Sequence, residues 1–204
     1  MRHAWTLLRA RRVRSSALTA TFLGVAGLVV SDLTVPVTSL RSTDALELPL
    51  VTLLPLVGVL VVCLATREEA AEVERSCGRS IWSTRALPTI ASAGLIAGAL
   101  GVLAIDPHGQ ALLDVRNFVG LGGLGLLAVP LVGSTAAGFL PAADVAVNTL
   151  LGEGPTGRIA PWAWTLQPTT DPIGWWVAAV AATAGFVVFL AAGPRQRREE
   201  QLHG

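Results

Sequence analysis

The chain has no lysine and no tyrosine, three histidines and two cysteines in 204 residues. Each scarcity removes a class of chemistry. Without lysine there is no ordinary P-loop, whose lysine reaches the β- and γ-phosphates of a nucleotide. Schiff-base chemistry with pyridoxal phosphate or retinal is excluded for the same reason. His3, His108 and His203 stand near the two ends or in a loop. A haem, an intramembrane metal or an intramembrane serine protease therefore finds no imidazole at membrane depth. Cys63 falls in an apolar run and Cys77 in a polar stretch, which opposes a disulfide between them. A net charge of +1 implies no strong attraction to nucleic acid. No catalytic set, cofactor site or metal site emerges, and the chain does not read as an enzyme.

Charge is missing from long stretches as well. With 52% hydrophobic residues and a mean hydropathy of +0.60, the chain is too apolar for an ordinary soluble domain. Several runs between residues 17 and 193 are almost free of Asp, Glu and Arg. Runs of about 20 such residues match the ~30 Å hydrocarbon core of a bilayer. The reading is an all-α, polytopic membrane helix bundle forming a single transmembrane domain over residues 1–204. All fifteen basic residues are arginine, and with abundant Ala, Gly and Val this suggests a bacterial source. The expected location is then the bacterial inner (plasma) membrane, crossed several times.

Spans are expected over residues 17–35, 46–65, 87–105, 118–132, 136–151 and 173–192. The first follows a basic tail but lacks an A-x-A-like cleavage context, so it reads as an uncleaved anchor. The run from Phe118 to Gly152 is too long for one crossing. Taken whole it gives five spans; broken near Gly133-Ser134 it gives six. Arginines arbitrate, because cytoplasmic loops carry the excess of basic residues. With both termini cytoplasmic, twelve arginines lie inside and three outside (Arg41, Arg116 and Arg158). Six spans follow. Trp162, Trp164, Trp175 and Trp176 fall at the expected outer face, and none lies mid-span, as indoles favour the interface.

Three segments outside the spans stand out. The tail of residues 1–16 mixes Trp5, Leu7 and Leu8 with arginines, which suits a helix in the headgroup layer. In the cytoplasmic loop 67–85, Glu68, Glu72, Arg75 and Arg79 recur on one helical face with favourable opposite-charge pairing, as a docking element or as a solvated connector. The extracytoplasmic segment 153–172 carries four prolines and two tryptophans, and reads as a re-entrant or surface-lying cap over the bundle, the surface-lying form being favoured.

Inside the spans, Gly120-Leu-Gly-Gly-Leu-Gly125 matches a dinucleotide fingerprint only by accident, since no soluble strand precedes it. Like Gly94 and Gly98, these glycines are expected to let helices approach closely. Asp144 is the acid expected deep within a span, with Asn148 one turn on as its hydrogen-bond partner. A charge there costs ~2.5–3.5 kcal/mol, so the pair is a candidate polar point on a translocation path unless Asp144 lies nearer an interface.

The order of these parts resembles an ABC-2-type permease, the membrane subunit of ATP-binding-cassette exporters. The parts that carry the resemblance are the basic tail Ala4–Arg14, the charged helix Arg67–Arg79 and the outer segment Glu153–Trp176. It implies a conduit without catalytic residues, a cytoplasmic ATPase docking through Glu68, Glu72, Arg75 and Arg79, and a homo- or heterodimer of permease subunits in the lipid bilayer. The alternative is a non-transporting membrane scaffold or accessory protein that uses the same loop to recruit a cytoplasmic partner.

Overall fold

A computed structural model describes residues 17–26, 29, 33–38, 40, 45–66, 86–102, 110–154 and 158–192. The tail of residues 1–16 and the loop positions Glu68, Glu72, Arg75 and Arg79 lie outside the described residues. Most of what is described is helical. In chain order the elements are α1 (Ala17–Ala26), β1 (Thr34–Thr38), β2 (Ala45–Pro49), a 3-10 turn (Leu50–Leu53), α2 (Leu54–Ala65), α3 (Leu87–Val102), α4 (Gln110–Val132), α5 (Phe139–Leu151) and α6 (Pro172–Ala192). Two stretches are long and apolar enough to cross a membrane, Leu112–Val132 within α4 and Pro172–Ala192.

Several expected boundaries move. The first two apolar runs do not continue as helix to residue 35 or begin as helix at residue 46. Instead β1 and β2 form an antiparallel hairpin, with Thr34 opposite Pro49 and Pro36 opposite Glu47. The reason is local: Thr-Val-Pro-Val-Thr is β-branched around a proline, which suits an edge strand and not a helix interior. Pro49 precedes the 3-10 turn, and Pro55 enters the first turn of α2, where its missing N–H costs nothing. The fourth run begins at Gln110 and not at residue 118, so α4 takes in Asp114, Arg116 and Asn117. The fifth begins at Phe139 and not at residue 136.

The break expected near Gly133-Ser134 is present. α4 stops at Val132, and Gly133 has φ +84°, a left-handed conformation that glycine adopts without a Cβ clash. Its N–H bonds the Val129 carbonyl at 3.0 Å, and the chain turns through residues 133–138 into α5.

α4 is the hub, packed against α2, α3, α5 and α6. Its core side chains Phe118, Leu121 and Val129 meet Val59 and Cys63 of α2 and Ile96 of α3 in one buried cluster. The α4–α6 seam is closer still. A Cβ on Gly123 would stand 2.3 Å from the backbone of Ala181, and one on Gly185 would stand 1.9 Å from the Gly123 carbonyl oxygen. Gly125 lies similarly tight against Cys63 Sγ. The glycine run 120–125 is thus a packing surface. Gly94 and Gly98 are not: an added Cβ meets nothing within 4 Å among the described residues. Both are on the exposed side of α3.

Candidate functional site

Helix lengths create the site. α4 has 23 residues and is about 33 Å long, whereas its antiparallel partner α5 has 13 and reaches only about 18 Å. The turn at residues 133–138 joins the end of α4 to the start of α5. α5 therefore ends short of the start of α4, with its Pro141 ring beside Gly125. The segment after α5 occupies the space above. Residues 152–171 fold back onto the bundle through the Ala160 N–H to Gly152 carbonyl bond (2.7 Å), a bridge between Glu153 and Ile159, and two successive turns at 160–166.

Of the two forms expected for this cap, re-entrant and surface-lying, burial within the bundle is the feature of the first. Ala163, Trp164, Thr165 and Gln167 are buried, and Trp164 is only 4% exposed. Its six-membered ring lies against Gly120, where any Cβ would come within 2.4 Å of it. Trp162, Trp175 and Trp176 do remain exposed. One of the four indoles turns inward because a glycine on α4 leaves a slot for it.

A non-helical segment inside a helix bundle has carbonyls to satisfy, and buried away from water they need donors from the protein. Arg116 supplies the donors. It is fully buried on α4. Its Nη2 donates to the carbonyls of Trp164 (2.8 Å), Gln167 (2.9 Å) and Thr165 (3.4 Å), and its Nη1 to that of Pro168 (3.2 Å). The Asn117 Oδ1 accepts from Nε and Nη2, while its Nδ2 donates to the Thr165 carbonyl at 2.9 Å. Within the segment, Gln167 Nε2 donates to the Ala160 carbonyl at 3.0 Å. Only the planar five-donor fork of arginine can address so many acceptors from one side chain. Gly174 leaves room for it, since a Cβ there would lie 2.6 Å from Nη1.

The segment ends in a firm helix start. Asp171 Oδ1 accepts from the Ile173 N–H at 2.8 Å, with Pro172 at the first helical position. The Asp171 carboxylate also lies close enough for its charge to act on Arg116. Trp175 Nε1 donates back to the Thr169 carbonyl at 3.0 Å.

Beneath the segment lies the other polar group. Asn148 Nδ2 donates to Asp144 Oδ2 at 2.9 Å, the pairing expected from their i, i+4 spacing. Asn148 is buried and Asp144 partly so. The Trp164 side chain also hydrogen-bonds towards the Asp144 carboxylate, tying the refolded segment to α5. Asp144 and Asn148 are the pair expected from the sequence; Arg116 is expected outside the spans, and Asn117 is not among the expected site residues. A signal was present: Ala111-Leu112-Leu113 upstream of Arg116 extends the helical apolar pattern past the charged residues.

No family model matches the chain, and neither curated proteins nor solved structures yield a match.

Proposed function

We propose that this chain is a multi-pass inner-membrane protein, a permease-like subunit of an ATP-driven exporter with ATP hydrolysis supplied by a separate subunit. Membrane residence is supported by α6. Only 22% of that helix is buried inside the protein, and its free faces carry Trp176, Val180 and Val187. A helix apolar all round that is not buried by protein needs lipid around it. Together with the arginine asymmetry, the shorter apolar helices α1, α2, α3 and α5 complete a six-span reading with both ends cytoplasmic.

The conduit reading is carried by one observation: α5 is half a span, continued by irregular backbone buried in the bundle. Interrupted helices at membrane depth place polar backbone and side chains where a solute can meet them, and membrane transporters build binding sites this way. Here the interruption brings Asp144, Asn148 and Trp164 together between α5 and the outer segment. The energy source lies with a partner because the chain has no lysine for a P-loop. That partner would dock on the Glu68, Glu72, Arg75 and Arg79 face, with two permease copies forming the path.

A scaffold that recruits a cytoplasmic partner without transporting is the second reading, favoured by the glycine-sealed α4–α6 seam, which closes that pair of helices to any solute. Purification from native membranes in mild detergent separates the two. Co-elution of an ATPase that is lost in the Glu68→Arg, Glu72→Arg double variant, with membrane insertion intact, is the outcome expected of a permease subunit. Absence of an ATPase, or an association that the double variant leaves unchanged, would overturn it.

A further inference from the structure

We propose that Asp144, together with Asn148 and Trp164, is a binding point for a lipophilic organic cation. The inference rests on the conduit reading for what the site serves, and on local geometry for what it binds.

Charge comes first. Asp144 sits on a helix flanked by apolar residues at membrane depth, where an uncompensated carboxylate costs ~2.5–3.5 kcal/mol. Its interactions among the described residues are with Asn148 and Trp164, both N–H donors, and neither brings a positive charge. The buried cation of the neighbouring helix, Arg116, directs its guanidinium to Asn117 and to the carbonyls of residues 164–168. A bound cation would supply the missing charge.

Shape comes second. Asp144 lies at the border between two faces of α5. Pro141 and Asn148 are buried on one side, while Leu140, Val147 and Leu151, each three, four or seven residues away, are exposed on the other. A molecule seated against the carboxylate therefore meets an apolar wall. No group of three acids, histidines or cysteines gathers among the described residues to hold a metal ion. One carboxylate on an apolar wall suits a monovalent charge carried on an apolar body. Trp164, seated in the Gly120 slot and hydrogen-bonded towards Asp144, closes the site on the side of the outer segment.

The test uses the full chain in nanodiscs, with radiolabelled tetraphenylphosphonium as the probe and tetraphenylborate, an anion of the same shape, as competitor. Saturable phosphonium binding is expected, at least ten-fold weaker in Asp144→Asn, within about three-fold of the parent in Asp144→Glu, and not displaced by tetraphenylborate. Asn148→Ala, which keeps the charge and removes one orienting donor, is expected to weaken binding by a smaller factor. Unfolding midpoints of the variants separate loss of binding from loss of fold. Equal binding by the parent and Asp144→Asn, equal displacement by the anion, or uptake of a proton with no phosphonium binding would overturn the assignment. The assay contains no ATPase. A negative result there leaves the exporter reading standing, and failure of ATPase association leaves this one standing.

Discussion

The Arg116 guanidinium donates to the Trp164 carbonyl, 2.8 Å away and 48 residues further along the chain. That bond joins the first third of α4 to a segment that the sequence leaves without regular structure. It also sets the depth of Trp164, whose ring fills the Gly120 slot and whose N–H points towards Asp144. The candidate site thus hangs on one side chain whose hydrogen bonds go to Asn117 and to the carbonyls of residues 164–168, and not to Asp144 or Asn148.

Removing that side chain is expected to be severe. Arg116→Ala leaves the carbonyls of residues 164, 167 and 168 without donors in a buried setting, and loss of one partner from such a network costs about 3–5 kcal/mol. Arg116→Lys retains the charge but replaces the fork by a point, so it should recover only part of the loss. Thermal unfolding in detergent measures both; an Arg116→Ala midpoint equal to the parent's would show that the segment is held by something else.

The tryptophans should divide sharply. Trp164→Ala empties a slot in the core and is expected to cost about 3–5 kcal/mol. Trp162, two residues earlier, is 46% exposed, and its replacement by alanine should stay within about 0.5 kcal/mol. Comparable destabilisation by the two substitutions would contradict the burial of the segment.

Glycines that look alike in the sequence should behave oppositely. Gly123→Ala drives a methyl into the Ala181 backbone, an overpacking expected to cost about 1–3 kcal/mol or to part α4 from α6. Gly94→Ala adds a methyl to open space and removes a flexible residue from a helix, which should stabilise by up to about 1 kcal/mol. Chemical or thermal unfolding of the two single variants is sufficient, and a reversal of their order would remove the seam from the fold.

Orientation can be read at the turn between α4 and α5. Ser134 is buried, whereas Thr135 is exposed, so a cysteine reporter belongs at residue 135. In a Cys63→Ala, Cys77→Ser background, Thr135→Cys should react with a membrane-impermeant maleimide from the cytoplasmic face alone. Reaction from the outer face alone would invert the six-span assignment.

The helix break at Gly133 was legible because glycine alone adopts a positive φ without strain, and the apolar run was too long for one crossing. The Asp144–Asn148 pair was legible because i, i+4 spacing on a helix brings side chains together whatever surrounds them. The hairpin was not read, although Thr-Val-Pro-Val-Thr carries a β signal, because hydropathy alone cannot distinguish an apolar strand from an apolar helix end. Arg116 reads as an outer residue because charge counting treats an arginine only as a position relative to the membrane, whereas the acceptors that hold it in the bundle lie about fifty residues away.

Composition alone set one limit: a chain without lysine has no lysine to place in a P-loop. Charge segregation likewise determined the helical, apolar class, since those properties depend only on neighbours along the chain. Tertiary structure alone decided which glycines pack, which tryptophan turns inward and which arginine is buried. Those outcomes depend on the unequal lengths of α4 and α5. Once α5 stops short, the space above it is filled by whatever segment follows, and the carbonyls of that segment require the donors that Arg116 and Asn117 bring from the opposite side of the site.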